Sequence, residues 1–152
     1  MPYTYEYPRP AVTVDAAVFR NHNGKSEILL IQRGNEPFKG MWAIPGGFIE
    51  MDEQLLDSAM RELEEETGIT GVKLLQYGAY GDIGRDPRHR TISIAFAGLL
   101  NDNGMQAKAD DDAADCRWFS IADLPDKIAF DHDLLISDAI AFAEEKGWIR
   151  LK

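Results

Sequence analysis

Apolar residues occur in short runs along this chain, and polar turns separate the runs. The run AVTVDAAVF (11–19) is apolar and β-rich, NHNGK (21–25) predicts a turn, and ILLIQR (28–33) follows it. We therefore expect a hairpin whose second strand is apolar on both faces and central in a sheet. Three later runs predict further strands, VKLLQYGAY (72–80), TISIAFAGLL (91–100) and CRWF (116–119).

Two stretches have the spacing of a helix. The first covers about 55–67, with Gly68 at the position that commonly ends a helix. The second covers about 134–146, with Asp131 or Asp133 as its N-terminal cap and a glycine after its end. Strands and helices in this irregular order predict an α+β fold in which helices cover a mixed β-sheet.

Length and charge restrict the class of protein. The chain has 152 residues, enough for one domain and too few for two ordinary ones, so we expect a single domain over 1–152. Its net charge of −10 argues against nucleic acid and against a membrane surface as partners. The single cysteine, Cys116, excludes an internal disulfide and suits a reducing compartment. With no signal peptide expected at the N-terminus, we predict a cytoplasmic protein.

The first predicted helix carries an acidic flank. At about 100° per residue, the stripe expected to face the core consists of Leu56, Ala59, Met60, Leu63 and Thr67. Glu62, Glu65 and Glu66 lie together on one side of that stripe, whereas Glu64 projects to the other side, towards solvent. Arg61 lies one turn before Glu65 and could orient it. The flank is either a solvated surface or a metal site, because the helix tolerates such repulsion at a cost on the order of a few tenths of a kcal/mol.

The spacing of residues over 47–69 decides between these interpretations. The pattern is G-x5-E-x7-R-E-U-x-E-E-x-G-U, with U apolar, and its fixed residues are Gly47, Glu53, Arg61, Glu62, Leu63, Glu65, Glu66, Gly68 and Ile69. This is the Nudix box without a departure, and the chain resembles the Nudix hydrolases. The resemblance implies a Nudix-type α/β/α sandwich with a loop–helix–loop motif that binds divalent metal and hydrolyses a nucleoside diphosphate linked to another moiety.

The same resemblance implies roles for the residues of the motif. The implied metal ligands are Glu62, Glu65, Glu66 and the main-chain carbonyl of Gly47. Carboxylate oxygens suit Mg²⁺ or Mn²⁺, with more than one ion per site, and the stretch has no Cys or His that would favour zinc. Glu53, as an auxiliary acid before the helix, and Arg61 complete the catalytic set. Which glutamate takes the proton of the attacking water stays open.

Nudix enzymes often recruit one further acid from a loop before a late strand. Asp110, Asp111 and Asp112 lie six to eight residues before Trp118, and Asp112 is the preferred additional metal ligand. A solvated acidic turn is an equally good interpretation of these three residues.

Candidate substrate-binding residues lie outside the motif. Arg85, Arg88 and Arg90 are concentrated in the loop GRDPRHR (84–90), which suits a phosphate or ribose clamp. Alternatively, these arginines are loop charges that pair with Asp82 and Asp86. Arg33, which ends the second predicted strand, is a further candidate for substrate binding.

The segment AFDHD (129–133) precedes the last predicted helix. Phe130 could stack on a base or fill the core, and His132 could cap or contact that helix. The R-D-P-R loop, the W-F strand and this segment together resemble the ADP-ribose pyrophosphatase branch of the Nudix family, with His89 where that branch often has glycine. The resemblance implies Mg²⁺-dependent hydrolysis of ADP-ribose to AMP and ribose 5-phosphate.

Two other functions stay open. One is a nucleoside triphosphate pyrophosphohydrolase that removes unwanted nucleotides. The other is a non-enzymatic sensor of ADP-ribose, which we expect less, because such regulators carry an added winged-helix domain and this chain ends at Lys152.

Three tyrosines alternate near the N-terminus. Tyr3, Tyr5 and Tyr7 have the spacing of one face of a strand, where they could stack on adenine or lie across a dimer partner. An ordinary edge strand is the alternative. Because related pyrophosphatases are commonly dimers, we expect a homodimer.

Overall fold

The computed structural model describes residues 2–101 and 115–151, which form a mixed β-sheet with one helix on each face. The strands are β1 (Ala11–His22), β2 (Lys25–Gln32), β3 (Trp42–Ala43), β4 (Gly46–Phe48), β5 (Leu75–Tyr80), β6 (Thr91–Leu99) and β7 (Cys116–Ser120). The helices are α1 (Leu55–Thr67) and α2 (His132–Glu145). The predicted α+β class with a mixed sheet is confirmed.

The centre of the sheet is a parallel pair, β1 and β6, in which Ala11 lies opposite Thr91 and Phe19 opposite Leu99. Antiparallel β5 follows β6 on one side. On its other side, β1 pairs with β2 near its end and with β4 near its start, where Asp15 lies opposite Gly46. β2 also pairs with β3 and β7, as expected of a central strand. Near the start of β1, β4 takes the place of β2 as its neighbour. This pairing places the start of the acidic motif beside β1.

Alternate residues of the central strands face different helices. On β1, Val14 belongs to the apolar layer under α1, and Ala17 belongs to the layer under α2. Because side chains alternate along a strand, Thr13 and Asp15 lie on the α2 side, as does Ser93 of β6. The layer under α2 is therefore polar at the end of the sheet where β1 and β6 begin.

The end of α1 agrees with the prediction. The helix ends at Thr67, and Gly68 has a φ of 80°, the left-handed conformation that glycine adopts without steric cost. The Gly68 N–H donates to the Glu64 carbonyl at 2.8 Å. The glycine thereby satisfies one of the last carbonyls of the helix.

The buried face of α1 differs from the predicted stripe. Leu56 and Met60 are 42% and 39% exposed, so their assignment to the core was wrong. The buried residues of the helix are Ser58, Ala59, Leu63 and Thr67. The helix packs on β1 and β4, and the small side chains of Ser58 and Ala59 allow that close approach. Packing against specific neighbours therefore overrides the apolar character of single positions.

The start of α2 also differs. The helix begins at His132, and its N-cap residue, Asp131, makes no capping bond with its side chain. Asp131 occupies the predicted N-cap position, but its side chain does not cap the helix, because Arg85 donates to both of its carboxylate oxygens, at 2.9 and 2.7 Å. Asp133 instead lies within the helix and accepts a bond from the Leu134 N–H at 2.9 Å.

The N-terminal tyrosines do not lie on a strand, so that prediction was wrong. β1 begins only at Ala11, and the segment before it has no strand pairing among the described residues. Tyr3 and Tyr7 are 64% and 70% exposed, and Tyr5 stacks with Tyr3 at 6.1 Å between ring centroids.

No helix in the described part of the chain is long and apolar enough to cross a membrane.

Candidate active site

Two glycines of β4 allow the acidic end of α1 to approach the sheet. The Gly46 N–H donates to Glu66 Oε1 at 2.7 Å. A Cβ atom on Gly46 would lie 2.2 Å from the Val14 carbonyl oxygen, and one on Gly47 would lie 2.6 Å from each carboxylate oxygen of Glu62. Side chains larger than hydrogen would therefore push the strand from β1 or displace Glu62.

Arg61 draws three acidic side chains together. Its Nε and Nη2 donate to Glu53 at 2.8 and 2.9 Å, and its Nη1 donates to Glu62 at 2.9 Å and to Glu65 at 3.2 Å. The bonds from Arg61 and Ser58 lower the pKa of Glu53 to about 2. The expected contact between Arg61 and Glu65 is present, and Glu53 fixes the position of Arg61.

Glu66 is partly buried, and this burial changes its pKa. Burial raises the pKa of Glu66 to about 7, the Gly46 N–H opposes this rise, and the charge of Glu62 adds to it. Burial also raises the pKa of Glu62. Glu64 is exposed, as predicted, and so is Glu65. A bound cation would relieve both the desolvation and the mutual repulsion of these carboxylates.

The donor set fits a hard divalent cation if Arg61 gives way. The oxygens of Glu62, Glu65 and Glu66, and the Gly47 carbonyl, are ligands of the kind that Mg²⁺ and Mn²⁺ prefer. Within 2–101 and 115–151, however, no three acidic, His or Cys side chains already form a ligand group. The Arg61 guanidinium occupies Glu62 and Glu65, so a metal ion would take its place. The predicted additional acids, Asp110, Asp111 and Asp112, lie outside the described residues.

A cavity of about 180 Å³, here called the main cavity, lies beside Gly46, Gly47 and Glu66. A second cavity of about 300 Å³ is lined by Glu65 and shares Arg33 and Glu66 with the first. Glu66 thus lies between two open spaces. Its carboxylate can face a ligand from either side.

Four of the five candidate substrate-binding residues line the main cavity, namely Arg33, Arg85, Arg88 and Phe130. Arg88 donates to Asp86 at 3.0 and 2.8 Å, so the alternative of loop pairing also holds for this arginine. Arg85 pairs with Asp131 instead of Asp82 or Asp86. Arg90 is not brought to the cavity, because it donates to the Gly81 carbonyl and lines a separate groove beside the N-terminal segment.

Phe130 is half-buried at the cavity wall rather than enclosed in the core. Its ring lies 4.9 Å from the Arg33 guanidinium carbon and 5.7 Å from that of Arg88. Phe48, which also lines the cavity, lies 5.5 Å from Arg88. Guanidinium groups and aromatic rings thus alternate along one wall, a surface suited to planar and anionic groups.

Comparison with known proteins identifies the family. The model of the NUDIX domain matches residues 9–139. This chain belongs to the Nudix family. An ADP-ribose pyrophosphatase of Methanocaldococcus jannaschii is 42% identical over 132 residues, which are 87% of this chain and 74% of that protein. The protein is thus a Nudix hydrolase related to ADP-ribose pyrophosphatases.

A second Nudix relative is a regulator. The ADPR responsive transcriptional repressor NtrR of Acinetobacter baylyi is 38% identical over 144 residues, which are 93% of this chain and 57% of the repressor. Among solved structures, the NUDIX domain of Shewanella oneidensis NrtR complexed with ADP ribose has a TM-score of 0.79 and 32% identity, and the match covers 90% of each chain.

A bifunctional Nudix relative contains a metal ion. It is the NMN adenylyltransferase/ADP ribose pyrophosphatase of Francisella tularensis complexed with AMP and a Mn ion. Its TM-score is 0.70 at 30% identity, and the match covers 93% of this chain and 43% of that one. The Nudix fold predicted from the sequence is confirmed by these structures.

The Nudix motif does not predict the polar residues at the bottom of the main cavity. This bottom, here called the cavity floor, consists of Thr13, Asp15, Ser93 and His132. Burial raises the pKa of Asp15 to about 7 against the charge of Arg85, and burial lowers the pKa of His132 to about 4. One signal was available, since Asp15 is the only charged residue in the apolar run 11–19. For His132 the sequence predicts only a cap of, or a contact with, its own helix.

Proposed function

We propose that this Nudix hydrolase cleaves ADP-ribose into AMP and ribose 5-phosphate, as a member of the class that acts on nucleoside diphosphates linked to another moiety. The observation that supports the proposal is the main cavity, where Arg33, Arg85 and Arg88 lie beside Glu66. In a chain with a net charge of −10, these guanidinium groups supply charged hydrogen-bond donors for a diphosphate.

The proposal includes Mg²⁺ or Mn²⁺, with more than one ion. Glu62, Glu65, Glu66, Asp112 and the Gly47 carbonyl would hold the ions. When bound, they neutralise diphosphate charge and lower the pKa of the attacking water. The Mn ion in the Francisella tularensis relative supports this assignment.

The protein's own residues position the reacting groups. Glu53 holds Arg61 beside Glu62 and Glu65 until a metal ion takes its place there, while the Gly46 N–H fixes one oxygen of Glu66. A helix glutamate takes the proton of the attacking water. Fixing these carboxylates before the substrate binds lowers the cost of organising the transition state.

The cavity wall would hold the substrate. Asp86 orients the Arg88 guanidinium through two bonds, which favours a directed contact with a phosphate oxygen. Arg33 lies over Phe130, so the pair offers a charge and a flat apolar face together. Arg85 reaches the cavity from the α2 side, anchored by Asp131.

A sensor of ADP-ribose is the second candidate function. The similarity to the Acinetobacter baylyi repressor and to the Shewanella oneidensis domain supports it. The complete acidic motif favours the hydrolase, because binding alone does not need a set of metal-binding carboxylates.

We further propose a single domain over 1–152, a homodimer and a cytoplasmic location, with neither nucleic acid nor a membrane as partner.

A panel of purified compounds tests the hydrolase. ADP-ribose, NADH, diadenosine polyphosphates, ADP-glucose and the common nucleoside triphosphates are incubated with Mg²⁺, and the products are separated. We expect ADP-ribose to have the highest kcat/KM. A preference for a triphosphate with release of pyrophosphate would support the pyrophosphohydrolase instead. Binding of ADP-ribose without turnover of any compound would support the sensor.

Two arginines of one loop give a matched comparison. Arg88→Ala removes a charge from the main cavity, whereas Arg90→Ala removes one outside it. A charge-assisted hydrogen bond contributes about 1.5–3 kcal/mol, so Arg88→Ala should lower kcat/KM for ADP-ribose about 10- to 100-fold. Arg90→Ala should change it by less than about 3-fold. Equal losses in both variants would refute the role of Arg88.

A further inference from the structure

The cavity floor contains one polar atom, Asp15 Oδ2, that the described residues leave without a partner. Asp15 is 5% exposed, and its Oδ2 accepts no hydrogen bond from residues 2–101 or 115–151. A buried carboxyl oxygen in that state costs free energy unless a ligand or water reaches it. Because Asp15 lines the main cavity, a bound molecule can approach this side chain.

His132 supplies a directed donor to the same floor. The Ile44 N–H donates to its Nδ1 at 3.0 Å, so Nδ1 carries no hydrogen. In the neutral ring the hydrogen is then on Nε2. Burial keeps the ring neutral by lowering its pKa to about 4. Nε2 lies 3.8 Å from Asp15 Oδ1, a separation too long for a direct hydrogen bond.

A donor and an acceptor separated in this way suit a hydroxyl group. A hydroxyl group can accept a hydrogen bond from the His132 Nε2–H and donate one to the Asp15 carboxyl, so a single group pairs with both side chains. The remaining floor atoms are hydroxyls themselves, since Thr13 Oγ1 and Ser93 Oγ lie 2.5 Å apart. Arg85 Nη1 donates to Ser93 at 2.8 Å and fixes this pair.

The polar character of the floor favours a sugar over a base. Aromatic rings, which bases need for stacking, belong to the wall formed by Phe48 and Phe130. The floor instead offers hydrogen-bonding groups from two strands and a helix.

The floor also lies next to the proposed reaction centre. Gly46 is opposite Asp15 in the sheet and donates its N–H to Glu66. A Cβ atom on Gly46 would lie 2.4 Å from Asp15 Oδ1, so glycine at this position allows the carboxyl to take its place. A sugar on the floor would therefore have its phosphate close to Glu66.

We infer that Asp15, Ser93 and His132 bind the hydroxyl groups of the terminal ribose and thereby select a pentose as the group attached to the diphosphate. The inference rests on the proposed function, because it names the subsite for one half of that substrate. The three residues discriminate by hydrogen bonding, and a ligand that lacks hydroxyls would leave Asp15 Oδ2 without a partner.

Binding of small phosphates tests the floor without requiring turnover. Calorimetry of the wild-type protein with Mg²⁺ compares ribose 5-phosphate, 2-deoxyribose 5-phosphate and methyl phosphate. We expect ribose 5-phosphate to bind at least about 10-fold more tightly than methyl phosphate, the change that one charged hydrogen bond gives. Equal affinities would overturn the inference.

Variants test which residues distinguish ribose 5-phosphate from methyl phosphate. Asp15→Ala should reduce the affinity ratio of ribose 5-phosphate to methyl phosphate towards 1, whereas Asp82→Ala, an exposed acid outside the cavity, should keep it. If Asp15→Ala does not fold, as judged by circular dichroism, Ser93→Ala replaces it. A ratio unchanged in the folded variant would show that the floor does not read the hydroxyls.

Activity measurements separate this inference from the proposed function. Turnover of ADP-ribose without discrimination between the small phosphates would overturn the floor assignment and keep the hydrolase. Discrimination without turnover of ADP-ribose would overturn the hydrolase and keep the floor assignment.

Discussion

Glu64 and Glu66 show how much the surroundings of a residue change its chemistry. Both belong to α1, but Glu64 is exposed, while Glu66 accepts the Gly46 N–H and lines two cavities. The same contrast separates Arg90 from Arg88 in one loop. In this protein, residue type alone therefore does not show which side chains line the cavities.

Neutralising Glu66 should abolish most of the activity. Glu66→Gln keeps an oxygen acceptor for the Gly46 N–H but removes the charge proposed to bind metal. We expect turnover of ADP-ribose to fall by about 100-fold or more, and Glu64→Gln to stay within about 2-fold. Both variants should fold, which circular dichroism checks. Near-normal turnover in Glu66→Gln with loss in Glu64→Gln would contradict the assignment of helix faces.

The pair of Asp15 and His132 predicts a pH effect on stability. The pKa of His132 is about 4 in the folded protein and 6.5 in its ordinary state, so its stabilisation is complete above pH 6.5 and is lost as pH falls towards 4. The shift corresponds to about 3 kcal/mol. The pKa of Asp15 is raised from 3.8 to about 7, so its contribution is complete below pH 3.8 and is lost as pH rises towards 7.

Between about pH 4 and 6.5, Asp15 and His132 change the free energy of unfolding in opposite directions. Removing the Asp15 carboxyl should therefore leave the pH dependence caused by His132. In Asp15→Asn, the free energy of unfolding should rise more steeply from pH 4.5 to 6.5 than in the wild type. Urea denaturation at both pH values, in EDTA, measures this difference. The double variant Asp15→Asn/His132→Gln should lose the added slope, and an identical slope in wild type and Asp15→Asn would count against the argument.

At the scale of elements, β4 is the joint between the sheet and the acidic helix. The strand is three residues long, Gly46–Phe48, and it pairs with β1 while facing α1. Its two glycines meet different neighbours. Gly46 faces main-chain atoms of β1, and Gly47 faces the end of the Glu62 side chain. The element therefore serves both folding and the placement of a carboxylate.

Alanine at the two positions should have different effects. Gly46→Ala meets the Val14 carbonyl, which cannot move alone, and should lower the free energy of unfolding by about 1–3 kcal/mol. Gly47→Ala should displace the flexible Glu62, with a smaller loss of stability but a loss of turnover of about 10-fold or more. Gly34→Ala, with no atom within 4 Å of the added Cβ, is the control for both measurements. Similar losses in all three would contradict the argument.

At the scale of the whole molecule, charge is the main constraint on binding. The net charge is −10, and the proposed substrate is also anionic. Arg33, Arg85 and Arg88 offset part of this repulsion at the main cavity. The carboxylates of α1 add to the repulsion of the substrate unless cations are bound. Each of the two ligands, metal and substrate, should therefore raise the affinity for the other.

Thermal unfolding measures this coupling. A ligand that binds only the folded state stabilises it by RT ln(1 + [L]/Kd), about 2.7 kcal/mol at 100 Kd. The rise in Tm with Mg²⁺ and AMP together should exceed the sum of the two separate rises. Glu66→Gln should lose this excess. Tight binding of ADP-ribose in the presence of EDTA would favour a sensor with a pocket made by protein groups alone.

The sequence by itself determined the features that depend on near neighbours. The motif over 47–69 gave the family, the helix and the side of that helix on which Glu62 and Glu66 lie. Gly68 marked the end of α1 because a left-handed residue suits glycine at that point. Such signals act over a few residues, so a single sequence contains them in full.

Only the tertiary structure decided which distant residues share the cavity. Thr13 and Ser93 are 80 positions apart, and Ile44 and His132 are 88 apart, yet the strand register and the start of α2 bring each pair into contact. Leu56 is exposed for the same kind of reason, because β1 and β4 cover a different side of α1. Strand register and helix packing are cooperative properties of the whole chain, so no local pattern encodes the floor on which Asp15 meets His132.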